Sequence, residues 1–345
     1  MKKKLALLLG LIAVALPSIA CTSAIISGRC TPDGRPLLWK NRDTATLQNF
    51  IDRVEPAQDG NMAFVALFNA GDSLRQEAWA GMNDASFAIM NTASYNLAPD
   101  TARVRDREGF IMAQALARCR TLADFEMLLD TLPRPLGVQA NFGVIDTDGK
   151  GAFYETCDTG YVRFLVDDST SGVLLRTNYS LAGEKDGGYG YIRYDNAARL
   201  INPIAAEAKV TPTYLTDTVS CSFYHALLRR DCLTDTMRWA IDQDFIPRHS
   251  TSASVVMTGK SSRADTRQPV MHCALGYPPC AITRTVVLRD VPQQLRPGLD
   301  GLAPDCVAAM RLKEQIFPIQ RGSGQHYIDM EALRRCLNEK NKPQK

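Results

Sequence analysis

Histidine is scarce in this chain, and its cysteines are not spaced like metal ligands. The four histidines lie far apart, at His225, His249, His272 and His326. No H-E-x-x-H pattern and no C-x-x-C pair occurs, so the common sequence signatures of zinc enzymes and zinc ribbons are missing. We therefore expect neither a catalytic metal nor a cofactor.

The chain also lacks an excess of charge once its first residues are set aside. The formal net charge is +3, and Lys2, Lys3 and Lys4 account for all of it. Without a basic surface to neutralise phosphates, nucleic acid is not an expected partner. Beyond the first residues, no apolar run approaches the roughly 20 residues of a membrane-spanning helix, so no integral membrane span is expected.

What the sequence does contain is a secretory signal at its beginning. Three lysines precede an apolar run from Leu5 to Leu16, which is too short to span a bilayer. The segment ends in Ser18-Ile19-Ala20, a small-x-small site for signal peptidase. We predict removal of residues 1–20, a periplasmic or secreted protein, and a single mature domain over residues 21–345.

Cleavage after Ala20 makes Cys21 the first residue of the mature chain, and three interpretations follow. A terminal cysteine carries a thiol and a free α-amine, and the amine can serve as general base for the thiol. In the second interpretation Cys21 carries the lipid anchor of a bacterial lipoprotein, although Ser18 stands where such sites usually have leucine. In the third, Cys21 forms a structural disulfide, with Cys30 as a candidate partner.

The other cysteines leave the disulfide pattern open. The chain has ten cysteines, so a catalytic Cys21 leaves at least one more unpaired. Export implies a compartment that permits disulfides. The candidate pairs are Cys273 with Cys280 and Cys221 with Cys232, but spacing alone does not determine connectivity.

Hydrophobic periodicity predicts blocks of strands that alternate with blocks of helices. Predicted strands cover residues 22–28, 36–40, 61–69, 75–80, 85–91, 139–145, 152–156, 161–166, 173–177, 252–257, 269–275 and 281–288. Predicted helices cover residues 109–118, 121–132, 191–208, 212–242, 304–316 and 328–338. The helix after residue 121 has Thr121 as its N-cap, with Asp124 three residues later. This order indicates an α+β protein in which helices cover antiparallel sheets, with Cys21 at the tip of a buried strand.

The first mature residues carry a resemblance to a known family. The chain begins with Cys21-Thr22-Ser23 and, after a turn, continues with Trp39-Lys40-Asn41-Arg42-Asp43. These segments resemble the N-terminal-nucleophile (Ntn) amide hydrolases, in particular the choloylglycine hydrolase and penicillin V acylase superfamily. The most similar branch contains acyltransferases like acyl-CoA:6-aminopenicillanate acyltransferase. The resemblance implies a four-layer αββα sandwich of two antiparallel sheets covered by helices.

Two residues of the returning strand are predicted to serve the nucleophile. The carboxylate of Asp43 can accept hydrogen bonds from the terminal amine and orient it beside the thiol. Lys40 stands where the bile-salt and penicillin V members usually have arginine. Lysine keeps the positive charge but loses the planar fork, and a nearby cation favours the thiolate form of a cysteine.

Three further matches rest on the resemblance. The segment from Gly81 to Thr92 is similar to a family strand pair, with Ser86 in place of the usual glycine. The residue matching Asn91 offers its backbone N–H to the oxyanion, and the side-chain amide matching Asn178 is the other donor. Arg193 matches an arginine at the start of the following helix that reaches the site.

Together these residues predict an amidohydrolase that cleaves a linear, non-peptide C–N amide through an acyl-enzyme on Cys21. Water as the acceptor gives hydrolysis, and a second amine gives acyl transfer. The expected partner is a small-molecule acyl amide, and assembly into a homo-oligomer is left open. The alternative is a lipoprotein binding module, lipid-anchored through Cys21 and without catalysis. A papain-like protease is disfavoured because its C-G-x-C-W signature is absent.

Overall fold

Two antiparallel sheets contain most of the strands in this chain. The computed structural model describes residues 21–98 and 101–340, so the predicted signal peptide lies outside the described residues. In chain order the strands are β1 (Thr22–Ile26), β2 (Leu37–Asp43), β3 (Asn49–Val54), β4 (Phe64–Asn69), β5 (Ala80–Asn83), β6 (Ala88–Ala93), β7 (Ala140–Ile145), β8 (Gly151–Cys157), β9 (Gly160–Leu165), β10 (Val173–Arg176), β11 (Tyr224–His225), β12 (Arg230–Asp231), β13 (Trp239–Ile241), β14 (Thr251–Thr258), β15 (Val270–Leu275), β16 (Thr283–Val286), β17 (Ile319–Gln320) and β18 (His326–Asp329). The α-helices are α1 (Glu108–Arg118), α2 (Leu122–Thr131), α3 (Tyr191–Ala206), α4 (Pro304–Ile316) and α5 (Met330–Lys340).

The strand that follows Cys21 lies inside a six-stranded sheet, in the order β10-β1-β2-β14-β15-β16. Its register places Ser23 opposite Arg176 of β10 on one side and Lys40 of β2 on the other. On the far side of β2, Asp43 pairs with Thr251 at the start of β14. The beginning of β1, the end of β2 and the beginning of β14 therefore lie side by side at one end of the strands. The second sheet has seven strands in the order β3 to β9.

Alternate residues of the first two strands serve two separate cores. Ile25 and Leu38 belong to the large core, and β1 and β2 pack there against β6, β7 and β8 of the other sheet. Ala24 and Trp39 belong to a second core on the opposite face, beneath α3. Because side chains alternate across a strand, a fully buried strand needs a covering layer on each side.

Helices supply the two outer layers. α1 packs on β5 and β6 of the seven-stranded sheet, with α2 beside it, and α3 packs on β1 and β10 of the six-stranded sheet. The α+β class and the four-layer αββα arrangement are thus confirmed. α2 begins with the predicted cap, in which Thr121 and Asp124 exchange side-chain and backbone hydrogen bonds. Among the described residues, no helix has the length and apolar character that crossing a membrane requires.

The prediction of a helix over residues 212–242 is wrong for most of its length. The chain forms a π-helix over Tyr214–Thr218 and a 3-10 helix over Val219–Cys221, and then the short strands β11, β12 and β13. The apolar residues of this stretch divide between the two cores: Leu215 and Val219 belong to the core beneath α3, and Phe223 and Ala240 belong to the large core. They therefore do not form one helical face.

Strand β3 is not predicted by periodicity. Its first four residues, Asn49 to Asp52, are all buried although two are polar and two are apolar. The sequence therefore does not show the alternation of polar and apolar residues that indicates a strand. Asn49 contributes a side-chain oxygen to buried Arg42. A polar residue that serves an internal hydrogen bond looks like a surface residue when only the sequence is read.

The cysteines are not joined as the sequence spacing suggested. All ten lie within the described ranges, and all ten are free thiols. The candidate pairs Cys273–Cys280 and Cys221–Cys232 are therefore not formed, and Cys21 is not bonded to Cys30.

Candidate active site

Cys21 lies buried where the ends of β1, β2 and β14 come together, and only 4% of its surface is exposed. Its thiol contacts the backbone carbonyl of Asp43 at 3.7 Å. Its own carbonyl oxygen accepts a hydrogen bond from Nη1 of Arg193 at 2.6 Å. The structure therefore places Cys21 in contact with two of the residues that the sequence predicted for the site.

The carboxylate of Asp43 is held from the side of β14. Its Oδ1 accepts a hydrogen bond from the hydroxyl of Thr251 at 2.5 Å. Its Oδ2 accepts from Nε of Arg248 at 3.1 Å and also from Nη2 of the same guanidinium. The two side chains of this ion pair are 1% and 13% exposed. Since an unpaired buried charge is costly, these partners fix the carboxylate in one orientation beside Cys21.

Asn178 and Arg193 belong to the same network. Arg193 is in the first turn of α3, and its Nη2 donates a hydrogen bond to Oδ1 of Asn178 at 2.8 Å. Its Nη1 also donates to the hydroxyl of Thr22 at 3.1 Å. With its oxygen held in this way, the Asn178 amide donates from Nδ2 to the carbonyl of Ala93 at 2.8 Å.

Gly190 makes room for the buried guanidinium of Arg193. It precedes α3 with φ of 93°, a left-handed conformation that favours glycine. A Cβ at this position would collide with the guanidinium of Arg193 and with the side chain of Thr177. Burial lowers the pKa of Arg193 to about 9, the nearby Arg248 acts in the same direction, and Asp43 opposes both. The guanidinium is therefore charged at neutral pH.

Lys40 reaches from β2 across to the seven-stranded sheet. Its side chain is buried, and its Nζ donates to Oδ1 of Asn91 on β6 at 2.7 Å and to the carbonyl of Trp79 at 2.9 Å. Burial lowers the pKa of Lys40 to about 8, whereas the nearby Cys21 acts to raise it. Lys40 thus holds the side-chain oxygen of Asn91, and the role of the Asn91 backbone N–H as an oxyanion donor stays a prediction of the resemblance.

Positive charge surrounds the thiol of Cys21. Arg42 is buried on the face of the Trp79 ring, with its guanidinium carbon 5.0 Å from the ring centroid. Burial lowers the pKa of Arg42 to about 10, and the nearby Cys21 opposes that change. Lys40, Arg42 and Arg193 therefore create a setting that stabilises negative charge on an oxygen atom at this position.

Comparison with solved structures gives matches at low sequence identity. A mutant conjugated bile acid hydrolase from Clostridium perfringens is 11% identical, with a TM-score of 0.45, and the match covers 79% of this chain and 93% of that one. Penicillin V acylase from Agrobacterium tumefaciens is 13% identical, with a TM-score of 0.46 and coverage of 79% and 87%. The Caenorhabditis elegans ortholog of N-acylethanolamine-hydrolyzing acid amidase is 14% identical, with a TM-score of 0.43 and coverage of 69% and 92%. No protein-family model and no curated protein matches the chain.

Arg248 and Thr251 are site residues that the sequence analysis did not identify. Neither belongs to a motif, and both reach Asp43 only because β14 pairs with β2. In the sequence, both residues stand shortly before the strand predicted over residues 252–257. This position does not reveal which other strand pairs with it.

Tyr95 and Tyr189 were not identified either. Burial raises the pKa of Tyr95 to about 12, and the nearby Cys21 adds to this shift. The ring of Tyr95 meets the ring of Tyr189 edge to face, with 5.5 Å between centroids. Tyr189 also pairs through its backbone with Asn178. The two rings thus lie beside Asn178, one of the predicted oxyanion donors.

The site offers the components for attack on a carbonyl carbon. It combines a buried thiol, an oriented carboxylate and several cationic hydrogen-bond donors. Within the described ranges, no three His, Cys, Asp or Glu side chains are grouped so that they could hold a metal ion.

Proposed function

We propose that this protein is an exported amidohydrolase whose nucleophile is Cys21 at the mature N-terminus, and that it cleaves linear, non-peptide C–N amides. The observation that supports this most directly is the contact network of Arg193. One guanidinium contacts both the carbonyl of Cys21 and the side chain of Asn178. The nucleophile and an oxyanion donor, predicted from separate motifs, thus share one buried partner.

The proposed mechanism uses the α-amine that signal cleavage releases. The amine, directly or through water, takes the thiol proton, and the thiolate attacks the acyl carbon. The Asn178 amide and the Asn91 backbone N–H stabilise the oxyanion. The amine then protonates the leaving nitrogen, which leaves a thioester on Cys21. Water or an acceptor amine releases the acyl group, giving hydrolysis or acyl transfer.

Asp43 and Arg193 act as positioning residues in this scheme. Asp43 is already held by Arg248 and Thr251, so its carboxylate can orient the α-amine without moving itself. Fixed partners are effective in catalysis because they need no reorganisation while charge develops.

The residues at the site favour an apolar or aromatic acyl group. Tyr95 is 39% exposed and Tyr189 is 60% exposed, although both are large aromatic side chains. They lie next to Asn178, a proposed oxyanion donor, and present ring surface to solvent. Exposed aromatic rings beside a nucleophile provide a surface on which a hydrophobic acyl group can pack.

The decisive experiment is to trap the acyl-enzyme. The protein is exported from its natural precursor, its N-terminus is determined by intact mass, and it is incubated with a panel of acyl amides. We expect an unmodified Cys21 terminus and an acyl adduct on the peptide that contains it. Cys21→Ala should lower activity by roughly a thousand-fold or more. The matched Cys157→Ala variant, at a partly exposed cysteine far along the chain, should keep full activity.

Two results would overturn the proposal. Diacylglycerol on Cys21 would identify a lipoprotein anchor instead of a nucleophile. Full activity of a form with an extra methionine before Cys21 would show that the α-amine is not the base.

A further inference from the structure

Three cysteines lie where the last helix packs against a 3-10 helix that connects β15 to β16, well apart in sequence from the Cys21 motif. Cys280 ends the 3-10 helix Pro278–Cys280, which packs against α5, and Cys336 lies on the buried face of α5. Cys221 ends a third segment, the 3-10 helix Val219–Cys221, which also packs there. The proposed function uses none of these thiols.

Two of the three thiols interact with each other. Cys280 and Cys336 are both free thiols, and both line the same cavity. The interaction with Cys336 raises the pKa of Cys280, and the same interaction lowers the pKa of Cys336. The thiolate is the attacking species in disulfide exchange.

A cavity gives this pair access to a small reagent. Cys280, Cys336 and Lys340 line a cavity of about 360 Å³ between α4, α5 and the start of β16. Cys221 is not among the residues that line it. The Cys221 thiol instead contacts Nζ of Lys340 at 3.6 Å and the carbonyl of Thr216 at 3.7 Å. The cavity thus selects the Cys280–Cys336 pair over pairs with Cys221.

We propose that Cys280 and Cys336 are a thiol–disulfide modification site that forms an intrachain disulfide and joins α5 to the six-stranded sheet. The oxidant is a small disulfide such as oxidised glutathione. The Cys336 thiolate attacks one sulfur of the reagent, a mixed disulfide forms, and one small thiolate leaves. Cys280 then loses its proton and attacks the Cys336 sulfur, and the second small thiolate leaves. Two protein thiols lose two electrons, and the reagent gains them as two thiols.

This crosslink would strengthen contacts that already exist at the end of α5. Lys340 donates a hydrogen bond to the carbonyl of Pro278 at 2.8 Å and forms an ion pair with Asp217 at 3.0 Å. The reduced protein therefore already holds α5 close to the 3-10 helix, which is the arrangement a disulfide requires. The inference does not depend on amidase activity, and the proposed export would supply an oxidising compartment.

The test uses purified wild-type protein and oxidised glutathione, with free thiols then blocked by N-ethylmaleimide and the protein digested without reductant. We expect a peptide that links Cys280 to Cys336, with Cys221 recovered as a blocked thiol. Oxidation should raise Tm by about 5 °C, because the crosslink restricts the unfolded chain across a long loop. Cys336→Ser should abolish both effects, while Cys157→Ser should retain them.

A linked peptide that joins Cys280 to Cys221 would overturn the proposal, as would recovery of both Cys280 and Cys336 as blocked thiols. The linked peptide and the change in Tm are measured on the wild-type protein, so the test stands even if Cys336→Ser folds poorly. Activity is not part of the readout, and failure here is therefore distinct from failure of the proposed function.

Discussion

Lys40 is a positive charge placed inside the interface between two sheets. Its Nζ lies between Asn91 Oδ1 and the Trp79 carbonyl, and 1% of the residue is exposed. Two hydrogen bonds replace part of the hydration that a lysine loses on burial. The remaining cost appears as a lowered pKa of about 8. The protein thus keeps a charge beside Cys21 at some expense of stability.

This cost predicts a pH dependence that Lys40→Met should remove. Lysine titrates near 10.4 in an unfolded chain, so the unfolded state binds more protons than the folded state between pH 8 and 10.4. The stability of wild type relative to Lys40→Met should therefore rise with pH across this window, by about 3 kcal/mol in total. Urea unfolding at pH 7.5, about 9 and about 10.5 measures the difference. The exposed Lys185→Met serves as control, and a difference as flat as that of the control would contradict the prediction.

The site residues that could be predicted from the sequence are those that lie close to Cys21 along the chain. Asp43 and Lys40 follow Cys21 on the next strand, so a single hairpin brings them together. Arg193 and Asn178 required a family resemblance, because nothing in their spacing reveals a contact with Cys21. Arg248 could not be found, since its contact with Asp43 depends on a long-range strand pairing.

Among the elements, the turn between β5 and β6 has a serine at a position where its backbone conformation favours glycine. Ser86 has φ of 68°, the left-handed region, and stands where the family usually has glycine. Its hydroxyl is buried and has no hydrogen-bond partner among the described residues. The turn is held instead by Asn83, whose Oδ1 accepts hydrogen bonds from the backbone N–H groups of Ala85 and Phe87.

Ser86→Gly should therefore stabilise the protein. Glycine relieves about 1–2 kcal/mol of left-handed strain and removes an unpaired buried hydroxyl, while its extra freedom in the unfolded chain costs roughly 0.5–1 kcal/mol. We expect a net gain of about 1 kcal/mol in urea unfolding. Ser86→Ala is the matched control, because it removes the hydroxyl but keeps the strain. If Ser86→Ala proved as stable as Ser86→Gly, the strain argument would be wrong.

Elements with a local signal at their ends were predictable, and those shaped by distant contacts were not. α2 has a cap in Thr121 and Asp124, and both of its ends agree with the prediction to within one residue. Residues 212–242 begin with a cap as well, since the Thr211 hydroxyl accepts a hydrogen bond from the Tyr214 N–H, but the helical turns end at Cys221. Beyond that point β13 exists only because it pairs with β18. A pairing partner almost 90 residues away leaves no periodic trace in the local sequence.

For the whole molecule, the two sheets are joined by a buried ion pair. Glu155 of β8 and Arg176 of β10 meet at 2.7 Å, with side chains 0% and 2% exposed. The Glu155 carboxylate also accepts hydrogen bonds from the backbone N–H groups of Leu181 and Ala182. The loop after Asn178 is thereby attached to the seven-stranded sheet. The ion pair between the two sheets therefore also helps to position Asn178, a predicted oxyanion donor.

Glu155→Gln should accordingly destabilise the fold more than removal of a surface charge does. The substitution leaves the Arg176 guanidinium buried without its counter-charge, which costs about 3–5 kcal/mol. Glu331→Gln is the matched control, because its partner Arg335 and Glu331 itself are 61% and 69% exposed. Breaking that exposed pair should cost at most about 0.5 kcal/mol. Urea unfolding of both variants measures the contrast, and equal losses would mean that the buried pair contributes no more than a surface pair. Adding Arg176→Met to Glu155→Gln should recover part of the loss, since the uncompensated charge is then removed.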